Sequence, residues 1–118
     1  MCIRDRAGIE AIKGDQSHAR AMISEYRERR DILVDGLNEL PGIKCLRPGG
    51  AFYVFPNITD TGLTSEEFTD LMLEKARVAV LPGTNFGPSG KGFVRLCCAT
   101  SKENIREGLN RMAVALRE

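Results

Sequence analysis

The stretch Gly92-Phe93-Val94-Arg95-Leu96-Cys97-Cys98-Ala99 places one permanently charged side chain among apolar neighbours. Read as a strand, it follows a glycine-rich turn and precedes a helix cap, which predicts a core strand with Arg95 in its middle. A guanidinium cannot shed its proton, so burying it without a planar acidic partner costs several kcal/mol. Two chemistries follow. Either an acid of the same chain pairs with it, with Asp60, Asp70 and Glu74 as the residues to examine, or the fork stays open for a ligand carboxylate held by two parallel hydrogen bonds. The second reading is adopted here, with Arg95 as the candidate substrate-binding residue; no residue of the chain is assigned a catalytic, cofactor-binding or metal-binding role.

Other chemistries find little support. Cys97 and Cys98 are adjacent and must alternate across a strand, so the four cysteines read as structural thiols, and His18 lies too far from all of them for a zinc site. The loop Pro82-Gly83-Thr84-Asn85-Phe86-Gly87-Pro88-Ser89-Gly90-Lys91-Gly92 tempts a phosphate-binding reading. It fails on context, because no Ser or Thr follows Lys91 and a strand comes next instead of a helix.

The elements that must position Arg95 fit within the 118-residue chain, with residues 1–14 as a partial leading segment and 15–118 as the domain proper. From Asp15 to Leu40, Ala19, Met22, Ile23, Tyr26, Leu33, Leu37 and Leu40 recur at helical spacing and predict a helix of roughly 40 Å. That length, with the charged centre Arg27-Glu28-Arg29-Arg30-Asp31, suggests packing against a domain not present here. Pro41-Gly42 stops the helix. Two short strands, Ile43 to Leu46 and Ala51 to Phe55, would then pair around Arg47-Pro48-Gly49-Gly50, with Phe52, Tyr53 and Phe55 covering both faces of the second. Thr64 and Glu67 form a capping box, with a staple between Leu63 and Phe68, for a helix ending near Lys75 to Arg77. A buried strand Val78 to Leu81, the glycine-rich loop, the Arg95 strand and a last helix capped by Thr100 and Glu103, or by Ser101, complete the chain. This order predicts an α+β fold: a small mixed or antiparallel sheet with helices packed against it, preceded by a long helix.

Charge excludes further classes. Seventeen basic against 16 acidic side chains give a net charge of +1, no basis for binding nucleic acid or an anionic membrane. No apolar run approaches the roughly 18 residues of a membrane span, and the alternating charges of Met1 to Arg6 are unlike a signal peptide, so a cytoplasmic protein is expected.

Taken in order, Tyr26 with Arg29-Arg30-Asp31, Pro48-Gly49-Gly50-Ala51-Phe52-Tyr53-Val54-Phe55-Pro56, Val78-Ala79-Val80-Leu81-Pro82-Gly83 with Phe86-Gly87, and Phe93-Val94-Arg95-Leu96 with Ala99 resemble the C-terminal part of class I/II aminotransferases of the aspartate aminotransferase kind. The resemblance runs from about residue 8 to the end. It implies the small domain of a fold type I enzyme that uses pyridoxal 5'-phosphate to move an amino group from an amino acid, of aspartate or aromatic type, to a 2-oxo acid. Arg95 then matches the arginine that binds the substrate α-carboxylate, and Phe86 a wall residue at the mouth of the site. The resemblance also implies a homodimer at full length. The Schiff-base lysine and most cofactor-binding residues would belong to an absent large domain; Lys75, Lys91 and Lys102 lie outside the family's lysine motif, and the fragment alone would be inactive. Cys97 stands where the family often has a small hydroxyl residue, a change read as neutral. Two alternatives stay open: a stand-alone carboxylate-binding or interaction domain without catalysis, and a fragment of a related lyase or decarboxylase.

Overall fold

The computed structural model describes residues 2–117; Met1 of the leading segment and Glu118 at the end of the domain lie outside the described residues. The chain is elongated, 57 × 30 × 24 Å, with a radius of gyration of 17.2 Å against about 13.5 Å for a compact domain of this length. Its leading end accounts for the excess. Helix α1 (Ile3–Lys13) buries no residue, and Ile3 and Ile12 are almost fully exposed. The segment expected to carry little pattern is therefore a helix, capped where the Cys2 N–H donates to Asp5. Gln16 donates to the carbonyls of Ala11 and Gly14 and closes the break before the next helix.

Helix α2 (Ser17–Asn38) agrees with the expected helix to within two residues at each end. Only its second half is buried, through Leu33, Val34 and Leu37; Met22 and Ile23, on the same predicted stripe, stay open. Gly36 lets α2 lie close to the last helix, because a Cβ there would collide with Leu109.

After α2 the structure departs from the predicted hairpin. Ile43 to Leu46 forms no strand: the Asn38 side chain accepts from the Cys45 N–H at 2.8 Å and donates to the Cys45 carbonyl at 3.0 Å, so both backbone groups that a ladder would need are already bonded. A single antiparallel bridge, Lys44 to Asn57, remains of the expected pairing. Strand β1 (Tyr53–Val54) pairs instead with the strand carrying Arg95.

Helix α3 (Ser65–Leu71) opens on the predicted capping box. Thr64 accepts from the Glu67 N–H at 3.2 Å, and Glu67 accepts from the Thr64 N–H at 2.9 Å. A π-helical turn, Met72–Ala76, extends it, and Arg77 leaves in the left-handed region at φ 55°. The Val78 N–H returns to the Met72 carbonyl and closes that turn, and residues 78–80 form no strand. Strand β2 is only Leu81–Pro82, with Leu81 half exposed.

Strand β3 (Val94–Cys97) is central in the order β1-β3-β2, antiparallel to both neighbours, with Tyr53 opposite Cys97, Val54 opposite Leu96 and Leu81 opposite Arg95. Helix α4 (Lys102–Ala115) takes its cap from Ser101, which accepts from the Asn104 N–H at 3.1 Å. The sheet is thus small and antiparallel, with helices against one face, as the sequence predicts.

One face of the sheet is closed. Val54, Val94, Leu96 and Cys98 join Leu33, Val34, Leu37, Phe68, Met72, Ile105 and Met112 in a single core. Alternate residues of the same strands point the other way.

Candidate functional site

That other face holds Arg95. It is half-buried, between the fully buried Val94 and the buried Leu96, so the expectation of a strand covered on both faces is corrected: only one side is packed. Tyr53, Phe55 and Leu81 surround this open side at about 40% exposure, with Phe86 at 51%. The aromatic residues expected to fill a two-sided core therefore line a surface. Tyr53 and Phe55 alternate with Val54 and Pro56, which are buried.

Among the described residues no carboxylate pairs with Arg95. Asp60 is bonded to Lys44 at 2.6 Å, and neither Asp70 nor Glu74 pairs with Arg95 among the described residues. The internal ion-pair reading is thus absent from this arrangement. Instead the guanidinium carbon lies over the Tyr53 ring at 4.4 Å and over the Phe86 ring at 4.7 Å from their centroids. Contacts of this kind attract a cation through the ring quadrupole without occupying its N–H donors. The edges of the fork stay available to a planar anion.

Phe86 reaches Arg95 from a tightly built loop. Two 3-10 turns, Gly83–Phe86 and Pro88–Gly90, meet at Gly87, whose φ of 114° is easy only for glycine. Gly83 and Gly90 touch backbone to backbone; a Cβ on either would fall inside the other's peptide. The Gly83 N–H donates to the Phe93 carbonyl at 2.8 Å, and Thr84 donates to Glu66 at 2.5 Å, a bond that holds the Glu66 carboxyl below its ordinary range. Glycine was legible as a demand for unusual backbone; that the demand serves one ring was not.

The aromatic surface continues beyond Arg95. Phe86 meets Phe55 edge-on at 6.0 Å, and Phe55 stacks on Phe93 at 5.4 Å. On the other flank Tyr53 packs on Phe52 at 4.7 Å, and Phe52 on Tyr26 of α2 at 5.8 Å. Ala51, just before this run, has φ 61°, a conformation that costs a non-glycine residue about 1–2 kcal/mol. Beside it a cavity of about 290 Å³ opens between α2 and residues 49–52. The charged centre of α2 is tied down locally: Arg30 donates to the Pro48 carbonyl and pairs with Asp31, and Arg47 pairs with Asp35.

A Schiff-base cofactor needs a lysine that can become a neutral amine. Lys102 is gripped by Glu28 and Glu25, and Lys44 by Asp60; each partner set raises the ammonium's pKa, the opposite of what is required. Lys91 sits exposed at the end of the glycine loop. Neither Lys44 nor Lys102 therefore has the setting of a Schiff-base lysine. No cluster of three or more metal-ligating side chains occurs among them, and none of their helices is long and apolar enough to cross a membrane. Cys45 and Cys98 are buried, as structural thiols should be, whereas Cys2 and Cys97 are exposed, which corrects that reading for two of the four.

Comparison with known proteins gives consistent matches. A family model described as aminotransferase class I and II matches residues 5–112. An aspartate aminotransferase of Pyrococcus horikoshii is 54% identical over 112 residues, covering 93% of this chain and 29% of its own length. The structure of an alanine aminotransferase from Pyrococcus furiosus superposes with a TM-score of 0.90 at 32% identity, covering 94% of this chain and 28% of the other. A pyridoxal-phosphate-bound putative aminotransferase from Clostridium difficile 630 gives a TM-score of 0.80 at 25% identity, covering 86% and 26%. The chain spans less than a third of the length of these proteins.

Proposed function

The chain belongs to the class I and II aminotransferase family, and from that membership we propose that it is the substrate-carboxylate clamp of a pyridoxal phosphate-dependent aminotransferase, with residues 15–118 as its small domain and 1–14 as a leading segment. The observation that carries the reading is Arg95: a cation on an open sheet face, held by two rings and paired with no acid among the described residues. Such a fork suits the α-carboxylate of an amino acid and of the matching 2-oxo acid, which present the same planar anion.

The role of the clamp is orientation. Two parallel hydrogen bonds to the carboxylate fix the substrate's rotation, and with it the direction of the Cα–H bond that must be broken. The cofactor supplies the electron sink when bound, and it is held by the part of the enzyme that this chain does not span. We place the whole enzyme in the cytoplasm as a homodimer acting on an aspartate-type or aromatic amino acid. The exposed aromatic run and the bare first half of α2 are surfaces such an assembly would cover.

The coding sequence tests this reading. Relatives of which this chain spans 29% predict about 250 to 300 further residues, carrying the family's Schiff-base lysine. A natural open reading frame ending upstream of Met1 without that lysine would remove the enzyme reading and leave a carboxylate-binding domain.

A further inference from the structure

A guanidinium on a long flexible stem loses side-chain entropy when it docks a ligand in one geometry, so its precision depends on how it is restrained beforehand. An acid partner would restrain Arg95 but would also compete for its donors. This site uses another device. Tyr53 belongs to β1 and Phe86 to the turn that follows β2, so the two rings reach Arg95 from opposite flanks of the central strand. The guanidinium carbon is 4.4 Å from one centroid and 4.7 Å from the other, within the roughly 6 Å over which a ring face attracts a cation. Each ring is itself supported, Tyr53 by Phe52 and Phe86 by Phe55.

We propose that Tyr53 and Phe86 are positioning residues for substrate binding: an aromatic clamp that occupies the flat faces of the Arg95 guanidinium and presents its N–H edge to the carboxylate. The inference rests on the reading of Arg95 as the carboxylate fork. It accounts for two aromatic residues lying open on a sheet whose other face is a packed core. It also assigns a purpose to the loop of four glycines, whose close backbone crossing fixes where Phe86 stands.

The test uses the full-length enzyme and compares Tyr53→Leu, Phe86→Leu, Tyr53→Phe and Arg95→Ala by kcat, by KM for the amino acid and by the inhibition constant of propionate, a carboxylate with no amino group. Leucine keeps apolar bulk and removes the ring face. Each leucine variant is expected to raise KM and the propionate constant about 3- to 30-fold, with a smaller fall in kcat from the looser orientation of the Cα–H bond. Tyr53→Phe, which keeps the face, should return both constants to within about twofold of the parent. If Arg95→Ala raises them by tenfold or more and the leucine variants leave them unchanged, the clamp is refuted and the arginine fork stands. If Arg95→Ala leaves them unchanged, the underlying reading itself fails. A loss of kcat in Tyr53→Leu that Tyr53→Phe does not restore would make Tyr53 a structural residue and overturn its assignment. Should Tyr53→Leu fail to fold, Phe86→Leu, on an exposed turn, decides by the same criteria.

Discussion

The two faces of the three-stranded sheet are made from alternate residues of the same strands, yet they obey different physics. Val54, Val94, Leu96 and Cys98 point into the core and are at most 7% exposed; Tyr53, Leu81, Arg95 and Cys97 lie on the other side, half-buried or exposed. The first face is stabilised by apolar area removed from water, about 25 cal/mol per Å². The second gives up that stabilisation and keeps a cation between aromatic rings, with no acid partner among the described residues. A period of two along the chain thus separates the residues that make the fold from those available to a ligand.

Truncation on the two sides should break this comparison most sharply. Phe68, fully buried beneath the closed face, should cost about 3–5 kcal/mol when changed to alanine, by denaturant unfolding of the full-length protein. Arg95→Ala on the open face should change stability by less than about 1 kcal/mol. Equal losses would mean that Arg95 is structural.

Adjacent thiols report the same contrast over one residue. Cys97 and Cys98 differ only in the face they take, one exposed and one buried, and burial pushes the Cys98 thiol's pKa up. Iodoacetamide should label Cys97 at least about tenfold faster than Cys98 in the native protein, since it is the exposed thiolate that reacts. Comparable rates by peptide mapping would contradict the assigned register of β3.

Smaller effects sharpen the account at its edges. Thr64→Ala removes one side of the capping box of α3 and should cost about 1 kcal/mol in thermal unfolding. Burial raises the Cys45 thiol from its ordinary 9.0 to about 11. The native state therefore favours the protonated thiol: this contribution to stability is complete below pH 9 and disappears as pH rises from about 9 to 11. Cys45→Ala should flatten that part of the stability profile.

Much of this was legible in the sequence because it is local or periodic. The α2 stripe, the Thr64–Glu67 box, the Ser101 cap and the isolated charge of Arg95 each follow from neighbours a few residues apart. What was not legible depends on partners far along the chain. The Ile43–Leu46 strand failed because the side chain of Asn38 bonds the backbone of Cys45, a contact no propensity carries. Val78 gave its N–H to the end of a helix that closes through a π-helical turn, a contact sequence periodicity does not show. The aromatic residues 52, 53 and 55 were read as core because their composition is apolar; only the pairing of β1 with β3 shows which side of the sheet they take. Tyr53 was missed as a neighbour of Arg95 for the same reason. They lie 42 positions apart and meet only across that pairing.

The central claim is that Arg95 exists to hold a substrate carboxylate. It is tested most directly by titrating the cofactor-loaded full-length enzyme with its amino acid, parent against Arg95→Ala, and following the cofactor's absorbance. Loss of a bidentate charge-assisted pair, worth about 1.5–3 kcal/mol per hydrogen bond to a charged group, predicts a dissociation constant raised roughly 100- to 10,000-fold, with the cofactor still bound. An unchanged dissociation constant would contradict the account and return Arg95 to the role of a surface cation held between two rings.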